Sequence, residues 1–264
     1  MLRFVRSALY GPAIMKERVL IVVHQEHSNP GRVARVIRDM GYDLDIRRPS
    51  GGDALPDTMD GHAGAVIFGG PMSANDETDF ICTEIDWIPT ILESGKPFLG
   101  ICLGGQILTR ALGGCVGAHA DGLCEVGYYP VRPTTVGEPL FRDITHMYQW
   151  HREGMDLPHG AERLAGSERF ENQAFRFGNA YGLQFHPEVT QRIMRRWTSS
   201  DSWKKRLGAQ PPEEHFRGRR RHEASIVRWT RNFLKTWMGN GADSTAAASL
   251  SEPSAYARPS ARGL

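Results

Sequence analysis

The stretch Gly95-Lys96-Pro97-Phe98-Leu99-Gly100-Ile101-Cys102-Leu103-Gly104-Gly105-Gln106-Ile107-Leu108 constrains this chain more than any other. A turn signal, Gly95-Lys96-Pro97, precedes a short apolar run from Phe98 to Ile101, and apolar residues then recur at helical spacing at Leu103, Ile107, Leu108 and Ala111. The pattern reads as strand, sharp turn and helix, with Cys102 at the turn. Glycines two before and two after that cysteine permit a tight, strained backbone that lifts one side chain out of the sheet, as in the nucleophile elbow G-x-S-x-G. Here the lifted side chain ends in sulfur. At a helix start the positive end of the dipole favours thiolate, and the backbone N–H of Leu103 is free to donate to an oxyanion.

Around this element the chain repeats the rhythm of a parallel α/β sheet. Arg18 to Val23 is a continuous apolar run, as expected of a strand buried on both faces. Asn29 is placed as an N-cap with Pro30 at the first helical position, Val33, Val36, Ile37 and Met40 follow at helical spacing, and Gly41 closes the helix. Leu44–Arg47 and Gly64–Phe68 are further strands, the second ending in Gly69-Gly70-Pro71, and a helix is expected near Thr78 to Ser94. From Cys115 to Gln184 the runs become short and β-like: Glu125–Val131, His146–Trp150, Arg163–Ala165, Gln173–Arg176 and Ala180–Leu183. These predict an antiparallel extension of the sheet. Thr190–Ser199 and the stripe Ile226, Trp229, Phe233, Trp237 read as two last helices. The expected organisation is an N-terminal extension at 1–15, disordered or upstream of the native start, one domain at 16–238, and a disordered Gly/Ala/Ser/Pro-rich tail at 239–264.

Composition bounds the partners. With 264 residues, 40% hydrophobic and 23% charged, the chain has globular values and enough length for a full core. A net charge of +2 carries no nucleic-acid signal. The basic run Arg217-Gly218-Arg219-Arg220-Arg221-His222 is short, has no aromatic platform and reads as a solvated approach to a helix. No apolar run approaches the roughly 18 residues that cross a bilayer. Four cysteines with no CxxC argue for a reducing compartment and against a disulfide framework or structural zinc. Cys82, Cys115 and Cys124 are read as small core or near-surface hydrophobes. The expectation is a cytoplasmic protein with neither membrane nor nucleic acid as partner.

A cysteine nucleophile needs a base, and the base an orienting acceptor. His186 and Glu188 provide both: in an extended chain, side chains two apart point the same way, and Pro187 between them forbids helix. Gly69-Gly70-Pro71 is either a strand-terminating turn or a loop whose bare main chain lets an N–H approach a substrate carbonyl. Gln106 lies one helical turn after Cys102, on the same face. His24-Gln25-Glu26-His27 lacks metal-site spacing and reads as a polar loop.

Three segments carry a resemblance. Phe68-Gly69-Gly70-Pro71-Met72-Ser73, Gly100-Ile101-Cys102-Leu103-Gly104-Gly105-Gln106 and Tyr181-Gly182-Leu183-Gln184-Phe185-His186-Pro187-Glu188 resemble, in order, the signature segments of class I (triad) glutamine amidotransferases. The similarity spans Arg18 to about Met238 and is nearest to stand-alone proteins related to the amidotransferase domain of GMP synthetase. It implies a flavodoxin-like α/β fold with a central, mostly parallel sheet, helices on both faces and an antiparallel extension. It implies a Cys102, His186, Glu188 triad that cleaves the γ-amide of glutamine through a γ-glutamyl thioester, with oxyanion donors at Gly70 and Leu103 and no metal or organic cofactor. Gly69, Gly70, Leu103, Gln106, Trp150 and His151 fall where the family binds substrate, although Arg152-Glu153 replaces the serine or glycine-aspartate common there. His151 is equally read as a packed structural histidine. No acceptor module follows, so ammonia transfer would require a separate synthase subunit. The alternatives are a γ-glutamyl peptidase acting on γ-glutamyl peptides or amines, and a regulatory binding protein with vestigial catalysis.

Overall fold

The first strand, β1 (Arg18–Val22), shows how the core is built: Val19 and Ile21 enter one apolar cluster, Leu20 and Val22 the other. Alternating side chains covered on both faces account for the continuous apolar run. The computed structural model describes residues 16–243. The extension expected at 1–15 lies outside the described residues. After β1 come α1 (Gly31–Asp39), β2 (Asp43–Arg47), β3 (His62–Ile67), α2 (Asp79–Glu93), β4 (Phe98–Ile101) and α3 (Leu103–Ala111). The chain continues through β5 (Val116–Ala118), β6 (Glu125–Pro130), β7 (Arg132–Pro133), α4 (Glu138–Phe141), β8 (His146–His151), β9 (Glu153–Met155), β10 (Glu162–Gly166), β11 (Ala174–Phe177) and β12 (Ala180–Leu183). Two helices close it, α5 (Gln191–Thr198) and α6 (Pro212–Asp243).

The main sheet has eight strands in the order β2-β1-β3-β4-β12-β11-β10-β7. From β2 to β12 the pairs are parallel, and from β12 to β7 antiparallel. One face carries α1 and α6 through Val33, Val36, Ile37, Ile226, Phe233 and Trp237; the other carries α2 and α3 through Ile81, Ile88, Ile91, Leu103, Ile107 and Leu108. The mostly parallel α/β sheet with helices on both faces and an antiparallel extension is thus present. Strand order reverses at β1, so β1 and β3 flank the crevice where ligands of open α/β sheets collect.

The structure differs from the expectation in four places. Glu125–Pro130 and His146–His151 do not join the sheet: β6 and β8 pair with each other as a separate ribbon, and β5 and β9 form a second one. Both faces of β6–β8 are buried, Val126, Tyr128 and Tyr148 on one and Glu125, Met147 and Gln149 on the other. Away from the sheet, the outer backbone groups of the ribbon bond to Gln210 and to the His186 segment instead. The first helix is capped at Pro30, not Asn29, whose side-chain oxygen instead accepts from the Gly31 N–H at 2.8 Å. The basic run lies inside α6, which starts at Pro212 with Glu213 and Glu214 in its first turn, a favourable helix start. At its far end α6 continues past Met238 to Asp243, because an anchored helix propagates at one hydrogen bond per residue. The rest of the expected tail lies outside the described residues.

Candidate active site

The turn between β4 and α3 is a true elbow. Cys102 has φ 51° and ψ −107° and is the one non-glycine residue with positive φ among the described residues. Such backbone costs on the order of 1–3 kcal/mol and persists only where its surroundings impose it. They do so here. The Cys102 N–H donates to the Leu183 carbonyl at 2.6 Å, fixing the turn to β12, and the chain packs so tightly that a Cβ on Gly100 would overlap the Gly104 carbonyl and one on Gly104 the Ile67 carbonyl.

The adjacent strand β12 delivers the second segment. Beyond Leu183 the chain bends at Gln184 and Phe185 and turns at Pro187-Glu188, a departure from the extended course expected between His186 and Glu188, and the His186 N–H donates to the Tyr148 carbonyl at 2.8 Å, docking this segment on β8. His186 Nδ1 donates to Glu188 Oε1 at 2.7 Å, while its Nε2 is buried without a hydrogen-bond partner. Trp197 packs edge-on against the ring at 5.0 Å. On the other side, a Cβ added to Gly69 would stand 2.8 Å from His186 Cε1 and 3.3 Å from Cys102 Cβ, so only a bare glycine fits between ring and thiol. Burial opposes charge on His186, but the Glu188 carboxylate and the Cys102 sulfur outweigh it and raise its pKa from 6.5 to about 10. Both neighbours thus favour the charged form of the ring.

Helix α1 holds the same segment from behind. The Arg32 N–H donates to the Glu188 carbonyl at 3.0 Å and Arg32 Nη1 to the Pro187 carbonyl at 2.8 Å. This guanidinium is 2% exposed and pairs with Glu223 of α6 at 2.6 Å.

Two cavities meet at Cys102. The larger, about 620 Å3, opens on the His186 side and is bordered by Gly69, Gly70, Glu188, Arg192, Arg196 and Trp197. The smaller, about 210 Å3, is bordered by Gln106, His151, Arg152, Glu153 and Arg206; Gly70, Cys102 and Trp150 line both. The sequence-predicted residues Gly69, Gly70, Cys102, Gln106, Trp150, His151, His186 and Glu188 are thus brought together, and Leu103 follows Cys102 as the first residue of α3. Gln106 turns its amide to the Glu153 carbonyl at 3.1 Å and to Gln184 Oε1 at 3.3 Å. Both ring nitrogens of His151 are engaged, Nδ1 with the Glu153 carbonyl at 3.0 Å and Nε2 with Glu125 at 3.2 Å. Glu125 also accepts from Ser167 and Gln173, so His151 is packed into a buried polar network at the cavity wall.

Sequence reasoning assigned no role to two features. Gln184 Nε2 lies 3.7 Å from the Cys102 sulfur, and its place directly after β12, the strand beside the cysteine elbow, was the available signal. His24, read as part of a polar loop, is buried, with Nδ1 on the Gly69 carbonyl and Nε2 on Glu84 of α2. Its place at the carboxyl end of β1, beside β3, was the signal. No group of three or more His, Cys, Asp or Glu among the described residues is arranged to hold a metal. No helix among them is long and apolar enough to cross a membrane.

Comparison with known proteins agrees with this architecture. Residues 21–201 match the family described as Glutamine amidotransferase class-I. The glutamine amidotransferase-like protein YfeJ of Salmonella typhimurium is 32% identical over 184 residues, 66% of this chain and 76% of the relative. A glutamine-hydrolysing GMP synthase subunit from Natronomonas pharaonis is 34% identical over 174 residues, 63% of this chain and 82% of the relative. A glutamine amidotransferase structure from Thermotoga maritima superposes with a TM-score of 0.76 at 32% identity, covering 84% of this chain and 97% of its own. With more than half its length matched to the family and the signature segments meeting at one crevice, the chain belongs to the class I glutamine amidotransferases.

Proposed function

We propose that this protein hydrolyses the γ-carboxamide of glutamine through a γ-glutamyl thioester on Cys102. The observation that carries the reading is the state of His186: one ring nitrogen fixed on Glu188, the other buried and unpartnered beside the thiol, and a positive charge stabilised by both neighbours. An imidazolium so placed keeps the sulfur as thiolate and has a proton ready for a leaving amine. The Cys102 sulfur attacks the amide carbon, and the carbonyl oxygen becomes an oxyanion facing the main-chain N–H groups of Gly70 and Leu103. The C–N bond breaks as His186 Nε2 gives its proton to nitrogen, releasing ammonia. The neutral imidazole then takes a proton from water, whose oxygen attacks the thioester; the C–S bond breaks and glutamate leaves. The smaller cavity, with Gln106, Trp150, Arg152 and Arg206 on its wall, suits the amino-acid head of the substrate, and the larger the departing amine. Because relatives are named as subunits of glutamine-hydrolysing GMP synthases, a synthase subunit is the proposed ammonia acceptor.

The volume of the larger cavity favours a second reading, a γ-glutamyl peptidase or hydrolase. About 620 Å3 beside the general acid far exceeds what ammonia needs and admits a peptide or amine leaving group. Purified protein assayed with glutamine and with γ-glutamyl peptides decides between them. The leading reading expects glutamate and ammonia from glutamine, lost in Cys102→Ala. Inert glutamine with cleaved γ-glutamyl peptides would replace it by the second. No turnover and no Cys102-dependent adduct with a glutamine-like electrophile would leave a binding protein.

A further inference from the structure

The carbonyl of Gly69 and the N–H of Gly70 belong to one peptide unit. That unit is planar and trans, so its C=O and N–H point in opposite directions, and whatever holds the carbonyl aims the amide. The carbonyl is held by His24, whose Nδ1 donates to it at 3.2 Å. The other ring nitrogen meets Glu84 Oε2 at 2.9 Å, and both side chains of this pair are 0% exposed. The Gly69 carbonyl can only accept, so the bond to it fixes a donor at Nδ1. A buried polar pair gives a fold little that apolar side chains of equal volume would not. What this one adds is direction. The loop is wedged in place as well: a Cβ on Gly70 would stand 3.1 Å from His24 Cβ and 3.0 Å from Leu103 Cδ2. With the carbonyl drawn toward His24, the Gly70 N–H is turned away from it, and Gly70 lines both cavities that meet at Cys102.

We propose that His24, oriented by Glu84, is the positioning residue that sets the Gly69–Gly70 peptide with its amide toward the developing oxyanion. The inference rests on the function proposed above. Two variants separate its contacts. In His24→Asn the side-chain amide occupies the place of Nδ1 and keeps the bond to Gly69 while losing Glu84; in His24→Gln it occupies the place of Nε2 and keeps Glu84 while losing Gly69. An oxyanion contact acts in the transition state, so His24→Gln is expected to lose roughly 10²-fold in kcat with KM nearly unchanged, and His24→Asn to stay within about 10-fold of wild type. Alkylation of Cys102 by iodoacetamide forms no oxyanion and is expected at the wild-type rate in both. Equal losses in the two variants, a kcat for His24→Gln within about 3-fold of wild type, or alkylation falling in step with kcat would each overturn the proposal and leave the thioester mechanism standing. A wild-type protein that turns over no γ-glutamyl substrate would end the functional reading, and this inference with it.

Discussion

At the scale of single residues, the proposed chemistry turns on His186. Its charge is held up by Glu188 and the Cys102 sulfur against the cost of burial, so Glu188→Gln removes the carboxylate charge, the largest single support. The His186 pKa is expected to fall from about 10 in that variant, read by NMR titration of its ring, and kcat to drop roughly 10²–10⁴-fold. An unchanged titration would sink the assignment. The same shift is a stability statement. A folded pKa raised above the unfolded 6.5 stabilises fully below that value, and the contribution is lost as pH rises through about 10. The stability gap between wild type and Glu188→Gln should therefore be widest near pH 6.5 and narrow toward pH 10. The elbow at Cys102 was legible because glycine spacing and helix periodicity act over two or three residues, and His186 and Glu188 from their place just after β12, although the chain there turns instead of running extended. The contact of His24 with Glu84, 60 positions away, was not, because the end of β1 put His24 near the crevice but carried no mark of the partner a distant helix supplies.

Among the elements, α1, α6 and the His186–Glu188 segment form one linked unit through Arg32. Removing Glu223 leaves the Arg32 guanidinium buried with the Pro187 carbonyl as its remaining side-chain partner, whereas removing Arg32 leaves Glu223 one-quarter exposed and still paired with Arg219. Glu223→Ala is expected to cost about 3–5 kcal/mol in urea unfolding and Arg32→Met less, since an uncompensated buried charge is the larger penalty. The reverse order would refute that account. Most strands and helices were recognisable from burial periodicity, and β12 lies where the apolar run placed it. The early start of α6 was also written in Pro212-Glu213-Glu214, but the stripe beginning at Ile226 drew the boundary too late. The escape of β6 and β8 from the sheet was invisible, because an alternating strand carries no mark of which partner covers it.

For the whole molecule, the four cysteines are free; Cys82 and Cys115 are exposed, Cys102 and Cys124 buried. A thiol reagent on the native protein is expected to label Cys82 and Cys115, to inactivate only through Cys102 at the cavity floor, and to reach Cys124 only on unfolding. Reductant should leave the melting temperature unchanged, and a drop on reduction would reveal a crosslink. The amino-acid sequence by itself determined the class of fold, the elbow that strains Cys102 and the His186-Pro187-Glu188 spacing, since propensity, dipole and alternation are properties of neighbouring residues. The tertiary structure decided that β12 lies beside β4, bringing His186 to the thiol, that α1 grips the segment through Arg32, and that His24 reaches the Gly69 carbonyl. Those pairings depend on which apolar faces bury one another across distant stretches of chain, and that choice is made only when the whole core closes.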